Sequence, residues 1–204
     1  MTFVKICGLL QKEHVEAAVQ HGADFIGFVF APSRREVTIE QAAALAAHIP
    51  AHVKKVGVFV NETPARVREI AQAVPLDYVQ YHGDEPQSVI DEVGYPAIKA
   101  FSVRSAEDVL QAATYTVDYY LFDAPGTDFR GGSGHVFNWS LLAEAGINMN
   151  NVLLAGGLHA DNVRQAIDEV QPFGVDVSSG VETNKVKDTT KIHAFLQAAK
   201  GARV

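Results

Sequence analysis

The chain has 204 residues, 48% hydrophobic and 20% charged, with 16 Gly and 8 Pro, a balance that excludes a disordered polymer and leaves an ordinary globular fold. Its 17 basic residues stand against 24 acidic ones, a net charge of −7 with His neutral; this argues against a nucleic-acid partner, which asks for a basic face, but leaves room for a local positive pocket that takes a small anion. The one cysteine, Cys7, excludes an internal disulfide framework, and no apolar run approaches the roughly 20 residues of a membrane helix. The opening MTFVKICGLL lacks the basic start and long apolar run of a secretory signal, so the expected location is the cytoplasm.

In chain order, β-rich runs recur at Phe3–Cys7, Asp24–Phe30, Val53–Val60, Asp77–His82, Ala97–Phe101, Asp118–Asp123, Asn151–Gly156 and Phe173–Ser179. Each is rich in Val, Ile, Phe or Tyr, which suit a pleated, buried surface. Between them lie stretches such as IEQAAALAAHI, PARVREIAQAV, DNVRQAIDEV and TTKIHAFLQAAK, with apolar residues at i, i+3, i+4 and i+7. Thr38 precedes one helix, Thr63-Pro64 opens another, and Asp161 falls in the first turn region of the seventh. Eight strands alternating with eight helices, about 25 residues per unit, predict an α/β fold, a (β/α)₈ TIM barrel in a single domain over residues 1–204. An open doubly wound sheet is the rival. The closed form is favoured by the strand count and by polar groups at the C-terminal end of nearly every strand.

In such a barrel the active site lies at the C-terminal mouth. Strand 1 ends in Cys7, with Lys5 on the same face by the two-residue period. Cys7 reads either as a small buried hydrophobe or as a base or nucleophile whose thiolate a nearby cation favours. Arg34 and Arg35 follow strand 2; an arginine there can clamp a carboxylate, or both can be solvated loop residues. Gln80 and His82 share a face at the end of strand 4, where His82 reads as general acid, ligand or hydrogen-bonder. Lys99 and Phe101 share a face of strand 5; a buried lysine there, like Lys5, keeps a Schiff-base mechanism open. Asp123 closes the apolar strand 6. A carboxylate in that place needs a partner or a role, and burial there would raise its pKa and suit it to donate a proton; the alternative is a loop anchor. The following APGTDFRGGSG, with Gly126, Gly131, Gly132 and Gly134, reads as a lid. Gly156 and Gly157 after strand 7, and Ser178, Ser179 and Gly180 after strand 8, stand where such barrels bind phosphate through backbone N–H groups. No metal motif and no nucleotide fingerprint stands in the right context. The residues therefore point to cofactor-free proton transfer on a small phosphorylated substrate.

VKICG, GFVF followed by SRREV, VGVFVN, VQYHG, GGSGHVFNW, LLAGGL and VDVSSGVE come in an order that resembles the phosphoribosylanthranilate isomerase family, from Val4 to beyond Glu182. The resemblance implies a (β/α)₈ barrel, monomeric or homodimeric. It implies an Amadori rearrangement of N-(5-phosphoribosyl)anthranilate to 1-(2-carboxyphenylamino)-1-deoxyribulose 5-phosphate in tryptophan biosynthesis. By the same resemblance Asp123 is the general acid, Cys7 the general base, Arg35 the holder of the anthranilate carboxylate, with Arg34 its rival. Gly156, Gly157, Ser179 and Gly180 fall in the phosphate loops, and Asp176 lies within the motif. Acid and base must then be shifted, Asp123 by burial and Cys7 by a cation. Three departures stand out: Asn138 in place of Asp, the Arg34-Arg35-Glu36 run, and Tyr81 in place of Leu. A histidine-pathway phosphosugar isomerase and a Schiff-base lyase using Lys5 or Lys99 are the rival enzymes, and a non-catalytic phosphosugar sensor is the rival outside enzymes.

Overall fold

A computed structural model describes residues 2–124, 138–144 and 147–201. Eight parallel strands pair in chain order: β1 (Phe3–Cys7), β2 (Phe25–Val29), β3 (Lys54–Phe59), β4 (Tyr78–Tyr81), β5 (Ala97–Ser102), β6 (Tyr119–Asp123), β7 (Val152–Leu154) and β8 (Gly174–Val177). β8 returns to β1, with Phe3 opposite Gly174 and Ile6 opposite Val177. That pairing closes the sheet into the expected barrel and excludes the open one. The helices are α1 (Lys12–Gln20), α2 (Ile39–Ala46), α3 (Pro64–Ala73), α4 (Gln87–Val93), α5 (Ala106–Ala112), α6 (Ser140–Glu144), α7 (Val163–Val170) and α8 (Thr189–Lys200).

The strands read as continuous apolar runs because each serves two cores. Alternate side chains point to opposite faces. Phe25, Val56, Ile98, Ala100, Leu121 and Leu153 cluster inside the barrel. Val4, Ile6, Ile26, Phe28, Phe101 and Phe122 belong to the larger core shared with the helices. The inner face is graded along the barrel axis. Phe3, Phe25, Tyr78, Tyr119 and Phe173 stand at or just before strand starts. Phe173 stacks between Phe3 and Tyr119, at 4.3 and 4.7 Å, and Phe25 meets Tyr78 and Tyr119 edge-on. These rings seal the N-terminal end. The same parity, continued along the strands, delivers Cys7, Gln80, Asp123 and Asp176 to the opposite end.

Helix starts follow local chemistry. Thr38 and Gln41 form a reciprocal capping box, and Thr63 caps α3 with Pro64 at its first position. Asp161 lies outside α7, contrary to the sequence expectation: Asn162 is the capping residue. Its side chain is engaged with the loop after β7, accepting from His159 N at 2.8 Å and donating to Gly157 O at 3.0 Å. β7 and β8 are shorter than expected because their polar ends leave the ladder. Gly156 and Gly157 turn to φ 85° and 62°, and Ser179–Val181 winds into a 3-10 turn. A small hairpin follows that sequence patterning did not reveal, β9 (Glu182–Thr183) and β10 (Val186–Lys187), antiparallel. Its two turn residues, Asn184 and Lys185, both take positive φ (51° and 67°), as the commonest tight hairpin turn requires.

Candidate active site

Register assembles the first group. Lys5 is the cross-strand partner of Asp176, and Cys7 that of Gly27. Lys5 Nζ lies 2.8 Å from Asp176 Oδ1 with the lysine fully buried, a placement that holds only because each ion compensates the other. A Cβ on Gly27 would stand 2.9 Å from Cys7 Sγ and 3.1 Å from Lys5 Nζ. The missing side chain is what gives thiol and ammonium their room. Sequence reasoning passed over Gly27, although an isolated glycine inside a strand is the usual sign of close approach.

The cation expected beside Cys7 is present, but its pull does not bring the thiol below its ordinary value. Burial pushes the Cys7 pKa up, the Asp176 carboxylate pushes it further, and Lys5 and Lys187 do not offset them. Lys5 itself is raised: burial pulls it down, and Asp176 together with Cys7 outweighs burial. The free site therefore holds a neutral thiol beside a firmly charged ammonium.

The second group crosses from β4 to β6. Gln80 Nε2 lies 3.0 Å from His82 Nδ1, and His82 Nε2 lies 3.6 Å from Asp123 Oδ2. With the amide nitrogen donating to Nδ1, the ring proton sits on Nε2 and faces Asp123. Asp123 is buried at the end of β6. Lys99 does not join this group. It has the parity of Phe101, whose ring packs in the outer core, and its ammonium contacts Glu85 Oε2 at 3.2 Å and Gly83 O at 2.8 Å. That orientation removes Lys99 as a Schiff-base candidate.

The loops after β7 and β8 interlock. A Cβ on Gly180 would collide with the Leu158 carbonyl, and one on Gly156 with the Ala124 backbone. No side chain fits there, so the loops present backbone to a small cavity. Asp123, Gly156, Gly157, Asp176, Ser178, Ser179 and Gly180 all line it. The glycine-rich stretch with Gly126, Gly131, Gly132 and Gly134 lies outside the described residues.

The third group centres on Glu182, a residue that sequence reasoning gave no role. Arg34 Nη2 and Arg35 Nε each donate to its carboxylate at 2.7 Å, and Lys187 Nζ from β10 lies at 3.1 Å. Burial would push the Glu182 carboxyl up, but Arg35, Lys187 and Arg34 hold it down at about 2. Lys187 is brought down to about 8, by burial first and by Arg35, against the pull of Glu182. It also donates to Ser178 O at 2.7 Å, and Ser178 Oγ donates to Cys7 O at 3.1 Å. Arg35 is mostly buried, while Arg34 is 44% exposed. A Cβ on Gly8 would stand 2.6 Å from Arg35 Cδ, so Arg35 is the arginine laid against the residue next to Cys7. Among the described residues no His, Cys, Asp or Glu cluster is placed to hold a metal ion.

A family model described as N-(5'phosphoribosyl)anthranilate (PRA) isomerase matches residues 4–198. The chain belongs to that family. The N-(5'-phosphoribosyl)anthranilate isomerase of Listeria welshimeri is 49% identical over 198 residues, covering 97% of this chain and 98% of that relative. The crystal structure of phosphoribosyl anthranilate isomerase from Thermotoga maritima superposes with a TM-score of 0.88 at 38% identity, covering 98% of this chain and 100% of the other. A solved structure of phosphoribosyl anthranilate isomerase in complex with reduced 1-(o-carboxyphenylamino)-1-deoxyribulose 5-phosphate gives a TM-score of 0.85 at 38% identity, again over 98% and 100%. As a member of the phosphoribosylanthranilate isomerase family the chain is an isomerase of tryptophan biosynthesis. Of its departures from the family pattern, the Arg34-Arg35-Glu36 run supplies the two arginines of the third group. Tyr81 packs in the outer core, and Asn138 Oδ1 still accepts from Ser140 N at 3.2 Å at the start of α6.

Proposed function

We propose that the chain rearranges N-(5-phosphoribosyl)anthranilate to 1-(2-carboxyphenylamino)-1-deoxyribulose 5-phosphate, with Asp123 as acid and Cys7 as base. One observation supports this division: a single mouth holds one group for each part of such a substrate. The thiol and the buried Asp123 serve the sugar, the Arg35 cluster serves a carboxylate, and the backbone-lined cavity of Gly156, Gly157, Ser179 and Gly180 serves a phosphate. A relative solved with a reduced carboxyphenylamino ribulose phosphate carries the same three chemical parts in its ligand.

In this reading Asp123 gives its proton to the ribose ring oxygen. The C1–O bond breaks as the nitrogen lone pair forms a C1=N⁺ Schiff base. Cys7 first loses its thiol proton to solvent; the thiolate then removes the C2 proton, and those electrons form the C1=C2 bond and neutralise the iminium. Protonation at C1 and loss of the 2-hydroxyl proton give the ketone, with no net change of atoms. His82, its ring proton on Nε2, orients Asp123, and Gln80 fixes that tautomer. Asp176 keeps Lys5 charged beside the thiol and lines the same cavity. Ser178 steadies the Cys7 carbonyl. The reaction is placed in the cytoplasm as part of the same proposal; no described helix is long and apolar enough to cross a membrane.

The test is loss of substrate fluorescence with phosphoribosylanthranilate generated in situ. Wild type should turn over rapidly, and Cys7→Ala and Asp123→Asn should each fall by about 10³-fold or more in kcat/KM with unchanged thermal melts. A folded wild type without turnover, or either variant within tenfold of it, overturns the assignment of roles.

A further inference from the structure

The cluster around Glu182 holds one carboxylate against three cations. Arg34 and Arg35 from the loop after β2 and Lys187 from β10 converge on its two oxygens at 2.7, 2.7 and 3.1 Å. One negative and three positive charges leave an excess of two positive charges. Apart from Arg34, these side chains are largely withdrawn from water, Arg35 at 13%, Glu182 at 5% and Lys187 at 3% exposure. Uncompensated positive charge in so dry a place is costly unless an anion completes it. The guanidinium shows where that anion belongs. Arg35 gives Glu182 only its Nε, and its buried Nη2 has no hydrogen-bond partner among the described residues. A guanidinium presents five donors in a rigid fork, so fixing Nε also fixes the direction of the terminal N–H groups. Gly8 closes the other side: the arginine stem lies where a Cβ would be. Arg35 is held from two sides with one end unsatisfied.

We infer that Glu182 is a positioning residue that sets substrate specificity: it pins Arg35 by Nε so that the unpaired terminal edge meets the substrate's aromatic carboxylate. This rests on the reading of Arg35 as the carboxylate holder. Glu182 does not touch substrate. It acts by denying Arg35 other orientations, and its own charge is neutralised by Arg34 and Lys187, so it does not repel the incoming carboxylate. The cluster is also tied to the base. Lys187 runs from Glu182 to Ser178, and Ser178 to the Cys7 carbonyl. The carboxylate site and the thiol are thereby held in one frame.

Two substrates separate this role from a merely structural one. Ribose 5-phosphate condensed with anthranilate carries the carboxylate; condensed with aniline it does not. Glu182→Gln, which keeps the shape and one acceptor, should lower kcat/KM on the anthranilate compound by about 10–100-fold, a cost typical of misplacing a binding group by about an ångström. On the aniline compound it should change kcat/KM less than threefold. Equal losses on both compounds, or no loss on either, overturn the inference. Arg35→Ala is measured alongside. If that variant fails to discriminate the two compounds, the carboxylate reading of Arg35 falls. If it discriminates and Glu182→Gln does not, only the positioning role falls. Glu182→Asp, which retains the charge but withdraws it by one methylene, is read by the same ratio should the Gln variant not fold.

Discussion

The two rims of the barrel use the same side chain for opposite ends. At the N-terminal rim, Asp24, Asp77 and Asp118 each stand just before an even-numbered strand, β2, β4 and β6. Each makes a two-point clamp on the preceding strand. The Asp24 carboxylate accepts from Val4 N at 2.7 Å while Asp24 N donates to Val4 O at 2.9 Å. Asp77 does the same with Lys55, and Asp118 with Ala97, each carboxylate accepting at 2.8 Å. At the C-terminal rim, Asp123 faces the His82 ring and Asp176 faces the Lys5 ammonium. A backbone amide neither gains nor loses protons in the working range, so an aspartate bound to it is an anchor. An aspartate bound to an imidazole or beside a thiol sits where protons can move. Partner chemistry, rather than residue type, separates stability from catalysis here.

The largest expected effect comes from breaking the upper rim. Asp176→Asn leaves Lys5 buried without its counter-ion, a loss of about 3–5 kcal/mol of stability. It also removes the carboxylate that pushes the Cys7 thiol up and leaves the Cys7 thiolate as the counter-ion for buried Lys5. The sign follows. In wild type the raised thiol makes kcat/KM climb with pH on the limb where thiolate forms; in Asp176→Asn that limb moves to lower pH. Profiles of kcat/KM for both proteins decide it, and an unmoved or alkaline-shifted limb contradicts the role given to Asp176.

Lys5 and Lys99 sharpen the contrast and show what sequence reading reaches. Both are strand lysines that pair, buried, with a carboxylate, and from sequence alone they are equivalent Schiff-base candidates. Parity separates them. Ile98 and Ala100 fill the barrel, so Lys99 must face the helices, where it lies over the Phe101 and Tyr115 rings at 5.6 and 5.9 Å. A strand apolar on both faces does not announce which face is inner, and Ala-Ile-Lys-Ala-Phe is such a strand. The barrel itself was legible because eight apolar runs alternate with helical spacing, and the mouth because polar residues end those runs. Gly27, Glu182 and Lys187 were not. Gly27 matters through a neighbouring strand's side chains, and Lys187 reaches Glu182 and Ser178 by way of a hairpin too short to pattern. Lys99→Met should therefore cost about 3 kcal/mol, since it leaves Glu85 without its cation, and leave kcat/KM of the folded fraction within twofold. Denaturant melts and steady-state rates on one preparation test this; a large fall in kcat/KM would place Lys99 in the chemistry after all.

The smallest effect belongs to the lower rim. Asp77→Asn keeps an oxygen to accept from Lys55 N but removes the charge that Lys54 and Lys55 face at 3.6 and 2.9 Å. Burial nudges the Asp77 carboxyl up, but the hydrogen bonds and charge of Lys55 hold it below its ordinary value. A carboxylate depressed in the folded state stabilises above its unfolded pKa, and the contribution fades as pH falls through the lower, folded pKa. At pH 7 the variant should lose about 0.5–1 kcal/mol, the modest figure set by solvent screening of a partly exposed cluster. In strong acid, where wild type is also neutral at this site, the two melts should converge, while kcat/KM at pH 7 stays unchanged. Melts that stay apart in acid would mean that Asn fails as an acceptor for the backbone N–H, and the clamp would then rest on geometry instead of charge. A change in kcat/KM would mean that the two rims are mechanically coupled through the strands, and the separation between anchor and proton-transfer aspartates would no longer hold.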